Sequence, residues 1–173
     1  MKVIHLTRGK ISLIDNEDYE KVNQYKWYAS PAPGDTFYAK RKIWIPNNGH
    51  LTKQGKYIKN GQYKSISLHR FIINAPYNKE VDHIDGDGLN NRRNNLRLCN
   101  HMENMRNVPV RKTSKSGLKG VTWCKQTNKW RVVIQDNKKY IHVGRFIEIE
   151  DAIKAYNNKA KELFGEFAYQ NKL

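Results

Sequence analysis

A chain of 173 residues with 32 Lys and Arg against 16 Asp and Glu carries a formal net charge of +16, with a pI near 9.8. Hydrophobic residues make up 38% and mean hydropathy is −0.86, which allows one domain or two small ones with modest cores and excludes an apolar run long enough to cross a bilayer. Two cysteines, Cys99 and Cys124, without a CxxC pair, exclude a four-cysteine zinc site or a disulfide framework and suit reduced thiols in a cytoplasm.

The opening "VIHLTRGKISLID" alternates apolar and polar residues around Arg8-Gly9-Lys10 and predicts a β-hairpin. "DNEDYEKVNQYKW" follows with Asp15 as a helix N-cap and Tyr19, Val22 and Tyr25 near helical spacing. A strand is expected to begin at Trp27 and Tyr28, a second over "TFYAKRKIWI", and a third over "YKSISLH" after a long polar loop. "RFIINAP" reads as a short apolar helical turn stopped by Pro76. The Pro-, Ser- and Lys-rich "NVPVRKTSKSGL" (107–118) reads as a basic linker. Beyond it, "KGVTWCK", "KWRVVIQ" and "KKYIHVGRF" are three strand-like runs. "EIEDAIKAYNNKAKELFG" then places Ile149, Ala152, Ile153, Tyr156, Ala160, Leu163 and Phe164 on one helical face, with Gly165 as its stop.

Charge is unevenly spread. Thr36 to Lys79 holds nine Lys or Arg and no acid, and Met105 to Arg145 holds eleven against Asp136 alone. The acids gather at Asp15–Glu20, Glu80–Asp87 and Glu148–Asp151. Long tracts almost free of acids, flanking one acidic knot, suit a polyanionic partner approached by a metal-holding carboxylate, and nucleic acid is the first candidate.

That knot, "VDHIDGDGLNNRRNNLRLCNHMEN" (81–104), combines an adjacent Asp82-His83 pair with Asn95 twelve residues after His83 and Asn104 nine residues further on. A strand to His83, a loop, a returning strand and a helix from about Asn100 would gather these side chains. A hard divalent cation favours such oxygen donors, and a neutral imidazole is a suitable base near pH 7. His101, three residues before Asn104 on the same helix, is an alternative ligand. Asn90, Asn91 and Asn94 read as turn-formers. Arg92, Arg93 and Arg97 read as DNA-backbone clamps, with Arg97 alternatively pairing with a local acid. His69 either orients a phosphate or packs beneath the site.

With the upstream "LHR" (68–70), the segment resembles the HNH (ββα-metal) nuclease motif of phage and homing endonucleases in the variant ending in Asn. The resemblance implies His83 as general base, Asn95 fixing the His83 region by hydrogen bonds, and Asp82 and Asn104 holding one divalent cation, Mg²⁺ or Mn²⁺. His69, His101 and Asp85 become supporting positions. With only Cys99 near the motif, no structural zinc is expected, and packing from Val81, Ile84, Leu89, Leu96, Leu98 and Phe71-Ile72-Ile73 must hold it.

The tract from Lys115 to Asn171 resembles the three-stranded DNA-binding domain of APETALA and ethylene-response factors, on "KGVTW", "KWRVVI", "HVGRF" and the following helix and tail. Alternation sends Trp130, Val132 and Ile134 toward the helix. The resemblance then turns Thr122, Arg131, Gln135 and His142 toward DNA and gives phosphates to Lys119, Lys125 and Arg145. Thr122, Gln135 and His142 depart from the residues that family carries there.

The expected protein is thus α+β: a nuclease domain over 1–106 (β-rich scaffold 1–62, HNH motif 63–106), a basic linker over 107–118, and an APETALA-like domain over 119–173. Its expected function is metal-dependent endonuclease of the homing or mobile-element type, acting on double-stranded DNA. It would be cytoplasmic in a bacterial or phage-infected cell, a monomer or weak dimer, with no membrane or obligate protein partner. The alternative is a DNA-binding regulator that keeps the motif without cutting. Removing the chain from about residue 112 is expected to spare the metal chemistry and lower site preference.

Contact with roughly 6–10 phosphates predicts that DNA affinity falls about 10³–10⁵-fold between 50 and 200 mM salt. Fluorescence-anisotropy titrations across salt measure this slope, and a flat response refutes the electrostatic reading.

Overall fold

The computed structural model describes residues 1–33, 36–47, 50–51, 57–58, 60–110 and 114–172. It divides into two compact units. The first comprises Met1–Tyr77 with Asp87–Leu98, the second Asn78–Gly86 with Cys99–Leu173. The division does not fall at the expected linker: the strand with Asp82 and His83 and the helix with Asn104 belong with the C-terminal residues.

In the first unit, β1 (Lys2–His5) and β2 (Ile11–Ile14) form the expected antiparallel hairpin. A 3₁₀ turn at Asn16–Asp18 leads into α1 (Tyr19–Asn23). Asp15 does not cap this helix; its carboxylate is used by the Arg92–Arg93 segment instead. Trp27 precedes the strand rather than starting it. It is buried, and its indole N–H donates to the Val22 carbonyl at 2.9 Å, which fastens the end of α1.

The central sheet has the order β3 (Tyr28–Pro31), β4 (Phe37–Pro46), β5 (Gly61–Ser67), all antiparallel. Between β4 and β5, His50–Leu51 pairs antiparallel with Tyr57–Ile58; the rest of that expected polar loop lies largely outside the described residues. α2 (Leu68–Ile72) starts within the "LHR" triplet and buries Leu68 and Ile72. The Arg70 guanidinium donates to the Ala75 and Pro76 carbonyls at 3.3 and 2.8 Å, closing the turn after the helix. Arg41 lies in a box of rings, 3.6 Å from the centroid of Tyr25 and 5.0 Å from that of Phe71. Cation–π attraction fixes this cation inside the scaffold.

The loop 87–95 is tied to the hairpin by buried polar bonds. Asn91, fully buried, donates its side-chain amide to Ser12 Oγ at 2.8 Å, and Ser12 Oγ donates to the Leu89 carbonyl at 2.9 Å. Leu13 N–H donates to Leu89 O, and Asn91 N–H to Leu13 O, both at 2.9 Å. Asn91 is therefore a core strut, not only a turn-former.

Arg92 and Arg93 turn toward carboxylates. Arg92 Nε meets Asp15 at 3.2 Å, and Arg93 grips buried Asp18 through two bonds of 2.7 and 2.8 Å and Glu17 at 2.7 Å. Bidentate Arg–carboxylate pairing is the strong form of this contact. These arginines, expected on phosphates, brace the scaffold. The Arg93 backbone N–H also donates to Asp15 at 2.8 Å.

In the second unit, β6 (Glu80–His83) and α3 (His101–Asn107) precede an antiparallel sheet of order β8 (Val121–Cys124), β9 (Lys129–Asp136), β10 (Lys139–Phe146), backed by α4 (Ile149–Phe164). β7 (Leu96–Cys99) straddles the division of the units. Val132 and Ile134 face α4 and join Val121, Ala152, Tyr156, Ala160 and Phe164 in the core, with Trp130 packed beside them. Alternation therefore assigns the sheet faces correctly, despite an irregularity between Val132 and Val133. Gly120 enters this sheet at φ +70°, and a Cβ there would lie 2.4 Å from the Tyr156 ring and 2.5 Å from the Val133 carbonyl oxygen. Only glycine fits both constraints. Leu96 is buried, but Ile84 and Leu98 are 46% and 45% exposed, so they do not supply the packing expected of them. Among the described residues, no helix is long and apolar enough to cross a membrane.

Asp15 tests the bracing of the first unit. The Arg93 backbone N–H holds its carboxyl below the usual 3.8, with Arg92 adding to the effect against the opposing cost of burial. A lowered folded-state value stabilises above the unfolded value and loses that stabilisation as pH falls through the folded one. Asp15→Asn should therefore cost about 1–2 kcal/mol at pH 7, with the difference from wild type closing at acidic pH. Urea unfolding at a series of pH values measures both.

Candidate active site

The site is built on the end of β6 and one face of α3, both in the second unit. α3 starts where the sequence requires. Asn100 Oδ1 accepts from Glu103 N–H at 2.9 Å, and Glu103 Oε2 accepts from Asn100 N–H at 2.7 Å. This reciprocal capping box satisfies two of the open donors at the helix start.

Asp82 and His83 end β6 and are 6% and 5% exposed. Asn107, on the last turn of α3 and 9% exposed, directs its side-chain NH₂ at them. It donates to Asp82 Oδ1 and Oδ2 at 3.1 and 3.0 Å and to the His83 carbonyl at 3.1 Å. Burying a carboxylate is costly without hydrogen-bond donors, and Asn107 supplies them to both oxygens. Asn104, one turn earlier on the same face, donates to Glu80 Oε2 at 2.6 Å. His101 Nδ1 meets the other oxygen of Glu80 at 2.9 Å. α3 thus engages β6 twice: Asn107 at Asp82, and Asn104 with His101 at Glu80. Spacing pointed to Asn104 beside Asp82; the geometry puts Asn107 there. Asn107 follows Asn104 by three residues on one helical face, which is the only hint the sequence offers and does not by itself choose between them.

The remaining expected site residues are distributed as follows. Asp85 is exposed in the turn after His83. Asn95, buried in the first unit, donates its amide to the Asn90 carbonyl at 2.8 Å and stiffens the loop. His69 packs edge-on against Tyr38, with ring centroids 5.7 Å apart. Arg97 is half-buried on β7.

The donor set suits a hard cation: one buried carboxylate, neighbouring amides and a second carboxylate at Glu80. Among the described residues, no cluster of three or more His, Cys, Asp or Glu forms a ready-made cage. Mg²⁺ does not need one, since it keeps several waters and takes one or two protein oxygens beside a phosphate.

A family model described as HNH endonuclease matches residues 68–106. An uncharacterized HNH endonuclease of Acanthamoeba polyphaga mimivirus is 30% identical over 172 residues, covering 96% of this chain and 77% of the relative. The chain belongs to the HNH endonuclease family. Protein 3.8 of Escherichia phage T7 is 36% identical over 88 residues, 51% of this chain and 72% of that protein. No solved structure matches. This HNH endonuclease is accordingly a nuclease with DNA as its implied substrate, in a family that generally uses a divalent metal.

On the other face of α3, a groove of about 740 Å³ lies against the C-terminal sheet, lined by Met102, Met105, Thr122, Arg131, Gln135 and Tyr140 among others. Thr122, Arg131 and Arg145 stand in one cross-strand row, His142 opposes Val133, and Gln135 opposes Tyr140. Thr122, Arg131, Gln135, His142 and Arg145 are exposed, and so is Lys125 in the turn after β8. Lys119 is not part of that row; its ammonium is occupied elsewhere in the unit.

If Asn107 orients Asp82, Asn107→Leu should lower metal-dependent cleavage about 10–100-fold, the usual loss when a partner holding a metal ligand is removed. A Mg²⁺ titration of plasmid nicking should show a raised metal requirement. Unchanged metal dependence would refute the role.

Proposed function

We propose that this HNH endonuclease hydrolyses DNA phosphodiesters with His83 as general base and one divalent cation, Mg²⁺ or Mn²⁺, held at Asp82 with an amide oxygen from α3. The observation that carries this reading is the burial of Asp82 and His83 side by side at a strand end, with Asn107 pinned across the carboxylate. Asn104 is the second protein ligand in the family pattern. In the chain as it stands, its amide is fixed by Glu80 with the oxygen end left to turn toward a cation.

The chemistry follows from these groups. His83 takes a proton from a water in line with the phosphorus. The resulting hydroxide adds to phosphorus, the P–O3′ bond breaks, and the leaving oxygen acquires a proton from solvent. A cation at Asp82 supplies charge stabilisation on the phosphate and on the leaving oxygen. Asp82 positions charge and does not itself transfer a proton. Asn95 stiffens the loop that follows His83 in sequence.

The C-terminal sheet is proposed as the sequence-reading surface, on its likeness to the APETALA-type domain and on the exposed row of Thr122, Arg131 and Arg145 with Gln135 and His142 beside it. Polar and cationic side chains on one sheet face suit base edges and phosphates in a major groove. This combination fits an endonuclease of the homing or mobile-element type that works as a monomer or weak dimer in a bacterial or phage-infected cell.

His83→Ala and Asp82→Ala should each abolish plasmid nicking in Mg²⁺ and Mn²⁺ while leaving DNA affinity within about threefold, since both side chains are buried and affinity rests mainly on exposed cations. Gel assays beside anisotropy binding test this. Equal cleavage by wild type and His83→Ala would refute the assignment of the base.

A further inference from the structure

Sequence alone gives Lys119 to a DNA phosphate, but the structure uses it differently. Its backbone N–H donates to Asn171 Oδ1 at 2.8 Å, and its carbonyl accepts from Asn171 Nδ2 at 2.9 Å. Asn171 is buried and is itself locked to α4: its N–H donates to Asn157 Oδ1 at 2.8 Å, and its carbonyl accepts from Asn157 Nδ2 at 3.0 Å. From this anchored backbone the Lys119 ammonium donates to the carbonyls of Arg106 and Val108 at 2.8 and 2.7 Å. These carbonyls close the C-terminus of α3, where helices leave acceptors unsatisfied and where a cation is favoured by the helix dipole. The ammonium also lies 5.2 Å from the Tyr169 ring centroid. Burial pushes its pKa down to about 8, so it remains a cation at neutral pH.

A second contact reinforces the first. Arg106 pairs with Asp136 at the end of β9 at 3.0 Å, and its guanidinium sits 4.5 Å from the Phe164 ring centroid. α3 has seven residues, too few to hold a helix in water without tertiary support. Its orientation is therefore set by what grips it.

We propose that Lys119 is a positioning residue of the nuclease: anchored through Asn171 to α4, it grips the C-terminal carbonyls of α3 and so sets Asn107 and Asn104 against Asp82 and Glu80. This rests on the metal reading of Asp82 above. The C-terminal module is then part of the metal site's framework and not only a tethered reading head. Loss of residues from 112 onward should accordingly disturb the metal chemistry, the reverse of the expectation from sequence.

The test compares full-length wild type, Lys119→Met, Lys119→Arg and Asp136→Asn, with Asp82→Ala as the inactive reference. Single-turnover nicking at saturating DNA is titrated with Mg²⁺, and DNA affinity is measured separately across salt without divalent metal. Lys119→Met should raise the half-saturating Mg²⁺ about tenfold, with metal-free DNA affinity and its salt slope unchanged. Lys119→Arg, which keeps a donor cation, should recover most of the loss. Asp136→Asn, an isosteric change at a half-buried residue, should move the metal requirement in the same direction by a smaller factor, and it carries the test if Lys119→Met fails to fold. An unchanged Mg²⁺ requirement in both variants overturns the proposal. So does a salt slope lowered by about one in Lys119→Met with the metal requirement intact, which is the signature of a phosphate contact. Full activity in Asp82→Ala would instead remove the metal reading itself.

Discussion

A carboxylate shielded from water must be given donors, or ionising it becomes costly. At Asp82 the side-chain amide of Asn107 spans both oxygens and continues to the carbonyl of His83. That contact joins the end of a strand to the last turn of a helix whose start is fixed by the Asn100–Glu103 capping box. Strand, helix and cap together fix the direction in which the carboxylate can offer its remaining lone pairs. Glu80, one pleat earlier on the same strand face, repeats the arrangement with Asn104 and His101. Two strand carboxylates set against two turns of one helix form a frame that tolerates little rotation of α3, which is why the grip on that helix matters.

The large positive charge serves two separate ends. Arg92, Arg93, Arg106 and Lys119 are engaged with carboxylates or carbonyls, and Arg41 with aromatic rings. Arg131, Lys125 and Arg145 stay exposed on or beside the C-terminal sheet. Composition reports the sum and cannot separate these populations. The separation follows from where the few acids fall. Asp15, Glu17 and Asp18 are far in sequence from Arg92 and Arg93 but close in the fold, and each engaged pair removes a cation from the count available to DNA.

Legibility from sequence followed the same line. The C-terminal sheet and helix could be read because alternation in "KWRVVIQ" and the 3.6-residue spacing from Ile149 to Phe164 are local properties of the chain. The gathering of polar residues from Asp82 to Asn104 pointed to a helix from about Asn100, and the Asp-His pair marked the end of β6 as the candidate site. What could not be read were contacts between residues distant in sequence. Asn91 looked like turn chemistry until Ser12 was placed beside it. Asn107 sat at the edge of an apparent linker, and nothing local distinguishes it from Asn104. Ile84 and Leu98 counted as core by residue type, yet both are 45% or more exposed, because a short strand beside a polar loop buries only part of its apolar side chains.

The position of α3 between β6 and the C-terminal sheet has a consequence for how such a nuclease could couple reading to cutting. One face of this helix carries Asn104 and Asn107 toward the carboxylates, while Met102, Met105 and Arg106 line the groove facing Arg131 and Gln135. A flexible tether would let the reading surface and the metal site vary in separation, and cuts would scatter around the recognised sequence. A helix held by bonds to both sides fixes that separation within the unit. On the proposed reading, the distance between recognised bases and cleaved phosphate is then a property of the folded unit, maintained by the Lys119 and Arg106 contacts, and not of linker length.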